Sequence, residues 1–191
     1  MPSTHDPALP AEPAALLITG TVGVGKTSTA DLLGDLLADA GLPHAVIDLD
    51  RLCQAWPAPD DDPFQQRLLL ANLRAVTATY RSAGVRHLVL AGVAEDAAQR
   101  DALQAAVGVP LRVCRLTADL GSVQARLRRR HEADHDTESL PWHLERAAEL
   151  DSVLDRAAVA DLAVDTTRRT PADVAAAVLE ATGWSRPGPS V

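Results

Sequence analysis

Eight consecutive residues carry the clearest chemistry in this chain. Gly20-Thr21-Val22-Gly23-Val24-Gly25-Lys26-Thr27 reads as G-x-x-x-x-G-K-T. The glycines let the backbone turn tightly and bring its N–H groups close to phosphate oxygens. Lys26 can reach the terminal phosphates, and the Thr27 hydroxyl is placed to ligate Mg²⁺. The residues expected to touch phosphate are Gly20, Gly23, Val24, Gly25, Lys26, Thr27 and Ser28. The other reading is a glycine-rich strand-to-helix turn with a chance lysine. Context decides against it, because the match must follow a buried strand and open a helix. Residues 15–19 form a continuous apolar run of the kind found in a strand covered on both faces. From Lys26 onward, Ala30, Leu33, Leu36, Leu37 and Ala40 recur at helical spacing, with Asp31, Asp35 and Asp39 on another face and Gly41 as the stop. The first N–H groups of that helix, carrying about half a positive charge, point back at the phosphates.

Two acids come next. The second apolar run, residues 44–50, ends in Asp48-Leu49-Asp50. Ligands of open parallel sheets bind beyond the carboxyl ends of the strands, so both carboxylates are expected near the loop, as Mg²⁺ ligand or as base. Strand-end solubility with helix capping is the plainer alternative. In many loop NTPases an aspartate ends the third strand and helps hold Mg²⁺. Here those positions are Ala91 and Gly92, so any protein ligand besides Thr27 must come from Asp48 or Asp50, directly or through water, and Thr27 and Asp48 are the expected metal-site residues.

Arg126-Leu127-Arg128-Arg129-Arg130 is the one dense cationic cluster of the chain. Arg126 and Arg130 stand one helical turn apart and can share a face. Cations over a migrating phosphoryl group accelerate its transfer, so Arg126 and Arg130 are expected in a lid. The alternative is a solvated helix end paired with Glu132, Asp134 and Asp136. His131, His135 and His143 lack a second well-spaced ligand pair, and no structural metal is assigned to them. Trp56 and Phe64 flank an irregular, proline-rich stretch and either line an acceptor pocket or cover the edge of the core.

The elements that position these groups follow from periodicity. A helix is predicted over residues 64–83, with Leu69, Leu73, Val76, Thr77 and Tyr80 on one stripe and Pro63 at its first turn. Strands are predicted over 85–92, 111–116 and 160–164. Helices are predicted over 96–107, from a Thr117 cap through Leu120, Val123 and Leu127, over 142–157, and from the Thr170-Pro171-Ala172-Asp173 cap to Gly183. Strand and helix alternate throughout, which argues for a parallel sheet with right-handed crossovers.

The 191 residues suit one domain with a sizeable core. Residues 1–13, with four prolines, are expected to be a disordered leader and 184–191 a loose tail, leaving 14–183 as the domain and about 126–140 as its lid. A formal charge of −8 and a pI near 5.1 argue against a nucleic-acid partner. Cys53 and Cys114 have no metal-type spacing and are expected to be reduced, in a cytoplasmic protein. No apolar run is long enough to span a membrane.

With these residues in view, the chain resembles the small P-loop kinases of the nucleoside and nucleotide kinase superfamily. In particular it is similar to the group with adenylylsulfate kinases, gluconate kinases and chloramphenicol phosphotransferase. The matching pieces are G-T-V-G-V-G-K-T at 20–27, D-L-D-R-L at 48–52, the arginine cluster at 126–130 and V-D-T-T at 164–167. The resemblance implies a three-layer α/β fold, a five-stranded parallel sheet with helices on both faces and a short lid. It implies transfer of the γ-phosphoryl group of Mg-ATP to a small molecule. It also implies Asp50 as base or acceptor ligand, Arg126 and Arg130 as phosphate clamps, and the loop Thr166 to Arg169 against the adenine, with Thr166, Thr167 and Arg168 as its expected binding residues.

The chemistry expected from the whole is an ATP- and Mg²⁺-dependent phosphotransfer with Lys26, Asp50, Arg126 and Arg130 at its centre. The acceptor is a hydroxyl or phosphate compound whose identity stays open. A signalling GTPase is disfavoured, because the chain has no N-K-x-D and no switch aspartate after the third strand. A regulatory ATP-binding module without an acceptor is the remaining alternative.

Overall fold

The computed structural model describes residues 12–136 and 138–184. The expected leader and tail lie almost wholly outside them. Five strands, β1 (Ala14–Thr19), β2 (His44–Asp48), β3 (His87–Ala91), β4 (Leu111–Thr117) and β5 (Leu162–Asp165), alternate with helices α1 (Lys26–Asp39), α2 (Gln66–Ser82), α3 (Ala97–Val107), α4 (Leu120–Asp134), α5 (Leu140–Ala157) and α6 (Pro171–Thr182). All strand pairs are parallel, in the order β2-β3-β1-β4-β5. Leu17 on the central strand stands level with Leu90 and Val113.

Alternation along each strand divides the core in two, since successive side chains point to opposite faces. Ala15, Leu17, Ile47, Leu88, Leu90 and Val113 meet Leu69, Leu73 and Leu103 from α2 and α3 on one face. Leu16, Ile18, Val89, Cys114 and Leu116 meet Leu33 and Leu37 of α1 and Val174 and Val178 of α6 on the other. β1 is buried on both sides, which accounts for its unbroken apolar run. Helices α4 and α5 have a small core of their own, where Val123, Leu127 and Ala147 close over Val22 of the glycine-rich loop. The expected lid, about residues 126–140, falls on the second half of α4 and its connection to α5.

Several expected boundaries shift, each for a local reason. β2 stops at Asp48, and a short 3₁₀ helix (Leu49–Cys53) follows in place of the predicted strand end. The Asp48 carboxylate caps it by accepting from Asp50 N at 3.0 Å, while Leu49 turns inward and is fully buried. The helix predicted from residue 64 begins at Gln66. The Asp62 carboxylate takes up the N–H groups of Gln66 (2.8 Å) and Arg67 (3.0 Å), so Pro63 lies before the helix. Thr117 is not the cap of α4, because it remains in β4 paired with Asp165. Asp119 caps instead, accepting from Ser122 N at 2.8 Å. The predicted cap of α6 is present as a capping box between Thr170 and Asp173, with Gly183 in the left-handed region at the other end. Trp184, assigned to the tail, packs its ring 4.8 Å from that of His87.

Candidate active site

The glycine-rich loop leaves β1 at Thr19 and enters α1 at Lys26, at the carboxyl edge of the sheet. Its glycines are required by geometry at two points. Gly20 has φ +145°, and a methyl group there would lie 2.5 Å from Leu116 O. Gly23 has φ +79°, and a methyl group there would press to 2.7 Å against Leu127 of α4. Gly25, also left-handed, caps α1 without any side-chain hydrogen bond, so the first turn of a 14-residue helix presents its N–H groups to the cleft. The Thr21 hydroxyl, buried, donates to Ala147 O at 2.5 Å and ties the loop to α5.

Lys26 lies half-buried at the loop's centre, its ammonium donating to Gly20 O (3.0 Å) and Thr21 O (3.1 Å). Burial pulls its pKa below the ordinary lysine value, opposed by the carboxylates of Asp50 and Asp48, while Arg130 adds to the lowering. Asp50 is shifted the other way. Burial raises its pKa, the neighbouring Asp48 raises it further, and Lys26 holds it down. The two acids and the lysine therefore share one electrostatic environment. Asp48 is also bound directly to the loop, since Thr27 Oγ1 donates to its Oδ2 at 3.2 Å.

Mg²⁺ prefers oxygen ligands, keeps several waters and usually binds through one or two carboxylates plus substrate phosphates. A threonine hydroxyl beside one carboxylate fits that requirement. Among the described residues no cluster of three or more His, Cys, Asp or Glu is placed to hold a metal alone. The empty position at the end of β3 has a steric cause. A Cβ at Gly92 would fall 2.5 Å from Leu49 Cδ1, so the inward turn of Leu49 leaves no room for an aspartate there. The next acid along is Glu95, which lines the cleft.

The cleft over the loop holds about 1000 Å³ and is walled by Gly23, Val24, Gly25, Lys26, Thr27, Ser28 and Asp50 among the expected residues. Gly20 and Asp48 lie behind this surface, shaping the loop and holding Thr27. From α4, Arg126, Arg129 and Arg130 line the cleft. Arg126 is already engaged, donating to Val24 O (3.2 Å), Thr166 Oγ1 (2.9 Å) and Thr166 O (2.6 Å). It thus clasps the phosphate loop to the segment between β5 and α6. Arg129 and Arg130 form no ion pair among the described residues, and Glu132 and Asp134 do not pair with them either. Asp136 accepts instead from Ser139 N and Oγ. In the expected adenine loop, Thr166 and Arg169 line the cleft, whereas Thr167 turns to Asp165 and Asp119 N, and Arg168 points to solvent. His131 is buried with its ring 4.8 Å from that of His143, away from any ligand cluster. Phe64 rims the cleft, and Trp56 is 94% exposed, so neither covers the core.

Sequence reasoning missed the far wall of the cleft. Glu95 from the segment after β3 and Arg146 of α5 meet at 2.5 Å, 51 residues apart in the chain. Trp142, Gln99 and Leu150 complete that wall. An acid shortly after the third strand was the available signal for Glu95, whereas nothing local marks Arg146.

Fold and loop together give the P-loop NTPase architecture: a five-stranded all-parallel sheet, helices on both faces, and a G-x-x-x-x-G-K-T turn at its carboxyl edge. Comparison with solved structures agrees. The chain is similar to the tunicamycin resistance protein of Deinococcus radiodurans, with 24% identity over 90% of this chain and 96% of that one, at a TM-score of 0.65. It is similar to the APS kinase of Mycobacterium tuberculosis, solved with AMPPNP and APS, with 25% identity over 91% and 99% and a TM-score of 0.60. A gluconokinase from Sinorhizobium meliloti matches at 20% identity over 90% and 92%, with a TM-score of 0.59. No protein-family model and no curated protein sequence matches the chain. No helix among the described residues is long and apolar enough to cross a membrane.

Proposed function

We propose that this protein is an ATP-dependent small-molecule kinase, transferring the γ-phosphoryl group of Mg-ATP to an acceptor hydroxyl. The observation that carries this reading is that Lys26, held by Gly20 O and Thr21 O, and Asp50 line one cleft that extends past the loop, within electrostatic reach of each other. In this reading the lysine takes the phosphate of the donor, and the carboxylate, whose pKa is raised by burial and by Asp48, takes the proton of the acceptor.

The β- and γ-phosphates of ATP lie on the N–H groups of residues 23–28, with Lys26 exchanging a loop carbonyl for a phosphate oxygen. The nucleoside runs toward Thr166 and Arg169, on the β4–β5 side of the cleft. Thr27, supported by Asp48, would hold Mg²⁺, which supplies charge neutralisation between the β- and γ-phosphates. The acceptor oxygen attacks the γ-phosphorus while the bond from that phosphorus to the β–γ bridging oxygen breaks. The hydroxyl proton passes to Asp50, and ADP leaves. Arg130 and Arg129 close over the migrating group. Catalysis in this arrangement is chiefly positioning and charge neutralisation. Cytoplasmic location is part of the same reading, supported by two unpaired cysteines.

The test is ADP release from Mg-ATP across a panel of small hydroxyl and phosphate acceptors, with Lys26→Ala as control. Stimulation of the wild type by at least one acceptor, absent in the variant, is expected. ATP binding without stimulation by any acceptor overturns the reading in favour of a regulatory ATP-binding module.

A further inference from the structure

Arg126 differs from the arginines beside it. It is partly buried, and both terminal nitrogens of its guanidinium are committed. Nη1 donates to Val24 O at 3.2 Å and to Thr166 Oγ1 at 2.9 Å, and Nη2 donates to Thr166 O at 2.6 Å. Val24 lies 102 positions before Arg126 in the chain and Thr166 lies 40 positions after it. Arg129 and Arg130, on the next turn of α4, are exposed. They can swing onto a phosphate, whereas Arg126 would first have to give up three hydrogen bonds.

The two ends of this bridge belong to different parts of the cleft. Val24 stands in the phosphate loop. Its carbonyl and the N–H of Gly25 share one planar trans peptide and point in opposite directions, so holding the carbonyl also fixes that N–H. Thr166 opens the turn between β5 and α6, and the carbonyl that receives Arg126 also accepts from Arg169 N at 3.3 Å. Each end has ties of its own. The loop is held by Thr21 Oγ1 on Ala147 O (2.5 Å), and the turn by Thr166 N on Thr117 O (2.8 Å) and Asp119 N on Thr167 Oγ1 (3.1 Å). What Arg126 adds is the separation between them, because a planar guanidinium is a rigid fork of fixed width.

We propose that Arg126 is a positioning strut that selects the class of phosphoryl donor. By fixing the distance from the phosphate loop to the 166–169 turn, it makes the cleft favour a donor that reaches both, a nucleoside triphosphate, over an inorganic polyphosphate that reaches only the loop. A ligand joined across two subsites gains only when their spacing matches it, and a ligand on one subsite is indifferent to that spacing. The clamp role expected of Arg126 is then left to Arg129 and Arg130. This assignment rests on the placement of ATP in the kinase reading, and it concerns the donor, not the acceptor.

Three probes separate the roles open to Arg126: AMPPNP, which spans both subsites, tripolyphosphate, which meets only the loop, and adenosine, which meets only the turn. Binding of each to the full chain with Mg²⁺ is measured by calorimetry, with adenosine read by competition against AMPPNP. In Arg126→Lys, which keeps the charge and loses the planar fork, AMPPNP affinity should fall about tenfold or more. Tripolyphosphate and adenosine should each change by less than about threefold. Thr166→Val removes one acceptor of the strut and no charge. It should weaken AMPPNP by about threefold in the wild type and by less in the Arg126→Lys background. A clamp would show tripolyphosphate falling with AMPPNP, direct contact with the base would show adenosine falling with it, and a merely structural role would lower all three. Any of these results, additive losses in the double variant, or adenosine that fails to compete in the wild type overturns the strut and leaves nucleotide binding in place. A wild type that binds no AMPPNP overturns the kinase reading and the strut together.

Discussion

Replacing Asp50 by asparagine isolates the proton-accepting step. The backbone N–H of Asp50, not its side chain, makes the 3.0 Å bond to Asp48 that holds the 3₁₀ turn, so asparagine leaves that turn in place. What is lost is the carboxylate proposed to take the acceptor's proton. A missing general base costs about 10² to 10⁴ in kcat, or about 2.7–5.4 kcal/mol at 1.36 kcal/mol per decade. ATP binding should change by less than about threefold, because the variant keeps Lys26, Thr27 and the loop N–H groups that hold ground-state phosphate. The pH profile supplies an independent check. Burial and Asp48 raise the Asp50 pKa above 3.8. The carboxyl group therefore keeps its proton to a higher pH than an ordinary aspartate. The active, ionised fraction is lost as pH falls through that raised value, so the acid limb of kcat/KM should lie at a higher pH than an ordinary aspartate would give in the wild type and vanish in the variant. Steady-state ADP release from mildly acidic to neutral pH, with calorimetric titration of ATP, measures all three quantities. Weakened ATP binding with kcat unchanged, or an acid limb that persists in Asp50→Asn, would refute the base assignment and make Asp50 a ligand residue.

Three further outcomes follow from packing and burial. Gly92→Asp should destabilise the fold by about 1–3 kcal/mol, since its Cβ would fall 2.5 Å from Leu49, and adding Leu49→Ala should give a double variant more stable than the sum of the two single losses predicts; additive melting shifts would sink the steric account. Gly23→Ala combines a positive φ with a 2.7 Å approach to Leu127, so a loss of about 1–3 kcal/mol in denaturant unfolding and weaker ATP binding are expected together, and unchanged values for both would contradict the role given to this glycine. Cys114 is fully buried with its pKa pushed up to about 12, so a thiol reagent at neutral pH should label only Cys53 in the native protein and both residues after unfolding; rapid native labelling at Cys114 would contradict the packing of β4.

The phosphate loop was legible from sequence because its work is local. Consecutive backbone N–H groups, one lysine and one threonine make the cradle, and a strand before and a helix after are written in residues directly adjoining it. The doubly covered sheet was legible for a similar reason, since apolar runs such as 15–19 between amphipathic helices have few other places to go. Boundaries failed where a side chain from the neighbouring turn took over a cap: Asp119 for Thr117, and Asp62 for the start of α2. The chemistry away from the loop was decided only in three dimensions. The order β2-β3-β1-β4-β5 brings the Asp48–Asp50 turn beside the loop and sets Leu49 against Gly92, which crowds out a side chain at position 92. It also lets Arg126 clasp Val24 to Thr166 and joins Glu95 to Arg146 across 51 residues. Periodicity records which face of an element is apolar. It carries no register between elements, and contacts between distant side chains depend on that register.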